Sequence, residues 1–375
     1  MSLFSRKKSL DLLLAQAGDS EKGLKRTLGA GNLVALGIGA IIGAGLFVRT
    51  AAAAGQAAGP AVTLSFIIAA VGCAFAGLCY AEFASMIPIS GSAYAYSYVT
   101  MGETIAWIIG WALIMEYALG AATVSIAWSE YLNKLLGGAV PYEWCHSPLE
   151  SYTDSTGVLH QGIMNAPALI ILFLITLLLI KGSQESAMVN AIIVFIKVAI
   201  VILFIGIGWQ FIKPENHTPY MIPEGTKPVL DAAGAELVNY DGFFKHGLGG
   251  VLGGAAIVFF AFIGFDAVST AAQEAKNPKR DMPIGILGSL VVCTILYILF
   301  GHVLTGVANW QEFVDPEKGR EASVAYAISN YMKGYEWLAT AVTVAILAGF
   351  SSVILVMLMG QSRIFYSMSN DGLIP

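Results

Sequence analysis

Residues 31–48 read GNLVALGIGAIIGAGLFV, and this stretch decides the class of fold. It is uncharged over nearly the length a helix needs to cross hydrocarbon, about 20 residues. Yet Gly37, Gly39, Gly43 and Gly45 interrupt it. Each glycine inside a helix costs about 1 kcal/mol relative to alanine. Close helix packing is one reason to keep them, since Gly39 and Gly43 form a small-xxx-small pair. An unwound turn at GAG, whose bare backbone faces an anion in mid-membrane, is the other. Glycine-broken spans at matching places in two halves of a chain point to a binding site between them. The residues of this stretch alone leave both readings open.

Around that stretch the composition is that of a chain dissolved in lipid. Apolar residues make up 57% of the 375 and charged residues 12%, with mean hydropathy +0.71. A soluble domain carries about 25% charged residues, so much of the charge that a water-facing surface needs is missing. Eight candidate spans follow, at 31–54, 61–88, 102–132, 163–181, 186–212, 246–273, 283–306 and 335–361. In lipid every backbone group must be satisfied within the segment, which selects helices. A barrel is excluded because runs such as ALIILFLITLLLI, 168–180, do not alternate. The chain therefore reads as an all-α integral membrane protein: a polar arm over 1–30, then one transmembrane domain over 31–375. Within the arm, SLDLLLAQAG (9–18) suits a short amphipathic helix on the membrane surface or no fixed structure. The arm lacks an apolar core ahead of a cleavage site, so no signal peptide is expected.

Orientation follows from lysine and arginine in the loops. Arg6, Lys7, Lys8, Lys22, Lys25 and Arg26 precede the first span, and Lys276, Lys279 and Arg280 fall between the sixth and seventh. Both groups belong inside if the N-terminus is cytoplasmic, with Asp154 outside. The net charge of −5 gives no reason to expect nucleic acid as a partner. Cys73, Cys79 and Cys293 lie in spans and Cys145 stands alone in a loop, so neither a disulfide framework nor a metal site is expected.

The sixth span supplies the counterpart of the first. In GGVLGGAAIVFFAFIGFDAVSTAAQEAKNP (249–278), Gly264 is followed by Asp266 in mid-span. An ionisable group there is a functional candidate by default, the bland alternative being a helix-to-helix hydrogen bond. Lys197, in SAMVNAIIVFIKVAIVILFIGIGW, lies about 16 Å along its helix from Ser186, too deep for its ammonium to snorkel easily. It suits a proton carrier or a static ion pair with Asp266 or Glu116. Glu116, in IIGWALIMEYALGAA, needs a partner or water, whereas Glu82 sits nearer a helix end and reads as structural. Walker, GxSxG and HExxH motifs are absent. No enzymatic activity is expected, and no cofactor.

With those residues assembled, the chain resembles the amino acid–polyamine–organocation superfamily, in particular bacterial relatives of the cationic amino acid transporters. The strongest signature is AAQEAKNPKRDMPIGI (271–286). Further matches are GAIIGAGLF (39–47), YAEFASMIPISGSAYAYSY (80–98), GWALIMEYALGAATVSIAWSEY (110–131), FIGFDAVSTAA (262–272) and GQSRIFYSMSNDGLIP (360–375). The resemblance implies a leucine-transporter type of fold, two inverted five-helix repeats with substrate between broken first and sixth helices. Eight spans would leave the second repeat incomplete. It implies that Gly43, Ala44 and Gly45 receive a substrate carboxylate on backbone N–H groups, while carbonyls of Ile41, Phe260 and Ile263 hold the ammonium. Glu116 and Asp266 would stand near that site, and Phe350 would face the substrate and favour small neutral amino acids. Lys197 falls where proton-coupled members place a lysine, and would bond carbonyls near Ile41 and hydroxyls such as Ser351. The expected partners are an amino acid, protons and the bilayer of the cell membrane. Secondary active uptake by alternating access is the implied function. An exchanger without net proton movement, or an amino-acid-binding membrane receptor, is the alternative.

Overall fold

The computed structural model describes residues 7–9, 26–43, 45–153, 158–230, 234, 236–314 and 323–374. The arm beyond Ser9 up to Lys25, together with Arg6, Ala44, Asp154 and the charged stretch 315–321, lies outside the described residues. The remainder is overwhelmingly helical. In order run α1 (Ala30–Ile41), α2 (Thr50–Ala53), α3 (Val62–Met86), α4 (Ser92–Thr100), α5 (Glu103–Leu135), α6 (Ala166–Lys181), α7 (Ser183–Gly208), α8 (Gly247–Phe259), α9 (Pro278–Val307), α10 (Ser323–Tyr331) and α11 (Trp337–Asn370).

Six helical stretches among the described residues are long and apolar enough to cross a membrane: Gly45–Met86, Glu103–Leu135, Ser186–Phe211, Gly247–Glu274, Pro278–Val307 and Trp337–Asn370. Two of the eight expected spans, 31–54 and 163–181, contribute shorter helices. The first is cut at Ile42, leaving α1 with 12 residues, about 18 Å of rise. The other, α6, has 16 residues and begins where Asn165 caps it, its side chain accepting the Ala168 N–H at 3.1 Å. Pro167 follows in the first turn, where no donor is missed.

Each long helix divides into a lipid-facing side and an interior side, and α7 shows this best. Asn190, Val194, Lys197, Val201 and Phe204 are buried at alternating spacings of four and three, one stripe of a helix. Met188, Ile192, Phe195 and Ile202 are exposed between them, Phe195 to 75%. That apolar exposure is what a lipid-facing surface requires. Inside, α3 packs along α9 and α5 along α11, while α1 touches α7, α9 and α11.

Structure also appears where loops were expected. The short helix α4 occupies the connection between the second and third spans, and α10 lies within the connection after α9. Two small antiparallel hairpins, β1 (Ser151–Thr153) with β2 (Leu159–Gln161) and β3 (Val229–Leu230) with β4 (Glu236–Val238), lie in the connections after α5 and α7. The end of the bundle carrying them is called the hairpin end below. The segment between α2 and α3 turns at Gly59, whose φ of +60° is one that glycine adopts without strain.

Candidate functional site

Two helix breaks face each other in the middle of the bundle. α1 stops at Ile41; Ile42 turns extended with ψ 103°, and helix resumes as a π-helical turn at Gly45–Arg49. α8 passes through a 3-10 turn at Phe260–Phe262, and Ile263 then extends with ψ 135°. Gly264 follows at φ +108°, and a second 3-10 stretch, Asp266–Glu274, continues the chain. The glycines let the breaks touch. A Cβ on Gly45 would stand 2.2 Å from the Ala261 Cα, one on Gly264 3.0 Å from the Ala40 Cβ, and one on Gly43 2.6 Å from Val353 Cγ2. The glycine pattern of the first span thus serves both of its sequence readings, since the helix unwinds and its backbone is approached closely.

A small cavity of about 40 Å³ lies against both breaks, lined by Ile41, Gly43, Gly45, Phe260 and Ile263, with Ala40, Gly120, Val124, Val353 and Met357 completing its wall. Five residues singled out from the sequence therefore meet at one place; Ala44 lies outside the described residues. Gly120 and Val124 on α5 and Val353 and Met357 on α11 were not foreseen. Nothing but burial marks small and apolar residues in an apolar span, and a wall needs no other signal.

Lys197 stands behind the first break, wholly buried. Its Nζ donates to the carbonyl oxygens of Gly39 (3.0 Å) and Ile42 (2.8 Å) and to Ser352 Oγ (2.9 Å). Ser352 in turn donates to the same Gly39 oxygen at 2.6 Å. The hydroxyl expected in this role, Ser351, instead bonds the Leu347 carbonyl of its own helix at 2.9 Å. A helix turns by about 100° per residue, so only one of two adjacent serines can face α1. The ion-pair alternative for Lys197 is not what the structure holds. Its three hydrogen-bond acceptors are neutral oxygens, and Asp266 is engaged elsewhere, accepting the Tyr117 hydroxyl at 2.6 Å.

Tyr297 on α9 joins the breaks from the other side. Its hydroxyl lies 2.8 Å from the Ile41 carbonyl and 2.9 Å from the Ala261 carbonyl, donating to the pair. Sequence reasoning passed over it because a tyrosine in an apolar span carries no charge to draw attention. Three expected site residues do not line the cavity, and Asp266, bonded to Tyr117, is one of them. Glu116 is exposed on the flank of α5 between Met115 and Leu119. Phe350 is fully buried, but it packs edge-to-face on Tyr131, ring centroids 5.6 Å apart, away from the cavity wall. Its neighbour one turn on, Val353, takes the lining position.

At the opposite end from the hairpins the chain is fastened. Leu28 pairs with the strand-like residue Ala275, with the Leu28 N–H on the Glu274 carbonyl at 2.9 Å and the Lys276 N–H on the Leu28 carbonyl at 2.8 Å. Buried Glu274 is ion-paired with Arg363 of α11. Asp371 is ion-paired with Lys8 and accepts the Tyr94 hydroxyl at 2.8 Å.

Comparison with known proteins places this geometry in context. The chain is 43% identical to the branched-chain amino acid permease BcaP of Bacillus subtilis, over 100% of its own length and 73% of that protein's. It is 41% identical to the methylthioribose transporter of the same organism, again over 100% and 73%. Against the vacuolar cationic amino acid transporter 4 of Arabidopsis thaliana it is 34% identical, over 100% of its own length and 58% of the relative's. Its fold is similar to the crystal structure of MhsT in complex with L-phenylalanine. The TM-score is 0.58 at 13% identity, covering 94% of this chain and 80% of that one. Residues 28–375 match the amino acid permease family. By the family match over residues 28–375 and the likeness to these relatives, the chain belongs to the amino acid permease family, multi-pass membrane transport proteins of the amino acid–polyamine–organocation superfamily and not enzymes.

Proposed function

We propose that the chain forms the substrate-binding core of a proton-coupled amino acid transporter that works by alternating access. Its architecture would be the inverted five-plus-five repeat, with the N-terminus in the cytoplasm and the hairpin end outside the cell. The observation that carries the reading is Lys197, an ammonium buried on neutral oxygens of a broken helix. A charge held by Gly39, Ile42 and Ser352 ties α1 to α7 most firmly while the proton is present, beside the separate bond from Ser352 of α11 to Gly39. Losing the proton weakens all three bonds, because charge-assisted hydrogen bonds are about twice as strong as neutral ones. α1 is then freed to move beside the substrate.

The substrate follows from the wall. A carboxylate would rest on backbone N–H groups at Gly43–Gly45 and an ammonium on the carbonyls of Ile41, Phe260 and Ile263, as helix-end polarity favours. The side chain would meet Val124, Val353 and Met357. Among the described residues no charged one lines the cavity, which favours a neutral aliphatic amino acid over arginine or lysine. The name of the relative BcaP supports this class. The thioether sugar in the name of the other Bacillus relative supports a second class of uncharged, compact solute. Purified protein in liposomes should accumulate radiolabelled valine or leucine when the lumen is alkaline. Counterflow unaffected by the pH gradient would show an exchanger, and saturable binding with neither flux a receptor.

A further inference from the structure

Three cations stand unanswered at the end of the bundle opposite the hairpins. Lys276, Lys279 and Arg280 are exposed within five consecutive residues at the start of α9, and none has an ion-pair partner among the described residues. The acids nearest to them in sequence are turned inward and already engaged. Glu274 is buried against Arg363. Asp281 is buried too, its carboxylate accepting the Asn277 N–H at 3.1 Å. Glu82, exposed on α3, pairs with none of the three. The N-terminal end of α9 adds its own partial positive charge.

Beyond these cations runs a track of the right length for an acyl chain. Arg280 leads an exposed stripe of α9 that Ile284, Val291 and Ile295 continue, at spacings that keep to one helix face. From Ile284 to Ile295 the helix rises about 16 Å, against about 15 Å for one leaflet of a hydrocarbon core about 30 Å thick. Arg280 stands one turn outside that depth, about 6 Å further, where headgroups lie. α1 borders the stripe, since a Cβ on Gly288 would come 3.3 Å from Val34 Cγ2. We infer that the start of α9 is a binding site for an anionic glycerophospholipid. Its phosphate rests on Lys276, Lys279 and Arg280, and one acyl chain lies along Ile284, Val291 and Ile295 beside α1. The lipid also reinforces a clasp. The Lys276 N–H holds the Leu28 carbonyl at 2.8 Å and the Leu28 N–H the Glu274 carbonyl at 2.9 Å, and Leu28 leads into α1. With its head on Lys276 and its chain against Val34, the lipid keeps α1 on α9 at this end.

Lipid retention can be measured without turnover. The full chain, delipidated in detergent, is titrated with dioleoylphosphatidylglycerol, dioleoylphosphatidylcholine and inorganic phosphate, and the bound species are read by native mass spectrometry. Each cation near an anionic headgroup is worth about fivefold in affinity, so the native chain should hold its first phosphatidylglycerol at least about tenfold more tightly than phosphatidylcholine. Replacing all three cations by glutamine (Lys276→Gln, Lys279→Gln, Arg280→Gln) should abolish that preference, while Lys279→Arg keeps it. Single glutamine variants, each costing about fivefold, give the same answer if the triple variant is not monodisperse. Lys213→Gln, Lys227→Gln and Lys245→Gln together remove the same charge at the hairpin end and should leave the preference intact. Equal retention of the two lipids by the native chain overturns the site. So does an equal loss in the hairpin-end variant, since net charge and not this patch would then be acting. Displacement of the lipid by equimolar phosphate overturns the acyl track. In nanodiscs, hydrogen exchange at the Leu28 and Lys276 amides should slow several-fold when phosphatidylglycerol replaces phosphatidylcholine, and not in the triple variant. Exchange indifferent to the lipid in the native chain removes it from the clasp. None of these readouts needs solute flux, so they and the transport assays fail independently.

Discussion

Lys197→Met removes the ammonium while keeping an unbranched side chain of similar volume, and the structure allows its cost to be worked out. Three hydrogen bonds go, to Gly39, Ile42 and Ser352. The Gly39 oxygen keeps the Ser352 hydroxyl at 2.6 Å, so the acceptor left poorer is chiefly the Ile42 carbonyl, at the break itself. Hydrogen bonds to charged groups are worth about 1.5–3 kcal/mol each. Three would overstate the loss, because the variant no longer has to keep a charge in the interior. A net loss of about 1–3 kcal/mol is expected for the arrangement that joins α1 to α7 and α11, a factor of about 5–150 in its population. Thermal unfolding in detergent should shift down by a few degrees. In liposomes, accumulation driven by a pH gradient should vanish while counterflow of labelled substrate persists. Accumulation by Lys197→Met that still follows the imposed gradient would refute the coupling role, and wild-type stability would refute the accounting behind it.

Three other perturbations test separate parts of the molecule. Gly45→Ala drives a methyl group into the Ala261 backbone, where neither chain can yield by rotating a side chain. A cost of about 1–3 kcal/mol or more is expected, read as lost substrate binding by scintillation proximity with the protein still monodisperse. Glu274→Gln leaves Arg363 buried without its carboxylate; about 3–5 kcal/mol is at stake, and limited proteolysis should then cut near Leu28, which is tied to Glu274 in the native protein. His217, in the connection after α7, is held below the ordinary imidazole pKa by burial, an effect partly countered by its hydrogen bond to the His302 carbonyl. Its neutral form is therefore the one that the folded loop prefers. The stability it contributes is present above the ordinary imidazole range and is lost as pH falls through the depressed value. Hydrogen exchange over 212–223, corrected for intrinsic rates, should rise with acidification in the native chain and not in His217→Gln.

Much of this was legible in the sequence, and what was not has a physical reason. Spans, breaks and the deep lysine are visible because each violates a rule of the bilayer. A run of glycines in a helix or a charge in hydrocarbon is costly, and a costly residue announces itself. The cavity's far wall and the Tyr131–Phe350 pair break no rule, since valines, methionines and aromatic rings are what apolar spans contain anyway. Glu116 was expected near the site, and where it stands depends on the rotation of α5 about its axis. That rotation is set by the packing of Leu113, Tyr117, Ala121 and Val124, which leaves Glu116 off the cavity wall but near enough to Asp266 for their charges to interact. The choice between Ser351 and Ser352 failed for the same reason, since a one-residue error in helix phase turns a side chain by about 100°.

Tyr297 shows why the two breaks have to be considered together. Its single hydroxyl hydrogen serves both the Ile41 and the Ala261 carbonyls, so neither oxygen receives a full bond from it. Each carbonyl retains a lone pair, and at Ile41 that capacity is what a substrate ammonium would use. On the other face of the same break, Lys197 holds the carbonyls of Gly39 and Ile42. Within four consecutive residues, 39 to 42, three carbonyls are thus assigned to three donors on three helices, Lys197, Tyr297 and Ser352. A donor added at Ile41 strengthens the hold on one side of the segment, and a proton lost from Lys197 weakens it on the other. The segment ends α1, with the Ile42 N–H on the Ile38 carbonyl at 3.0 Å, so no continuous helix carries it through the break. Occupancy at the cavity and protonation at Lys197 would then bias the same few backbone groups, which is the physical basis for coupling them.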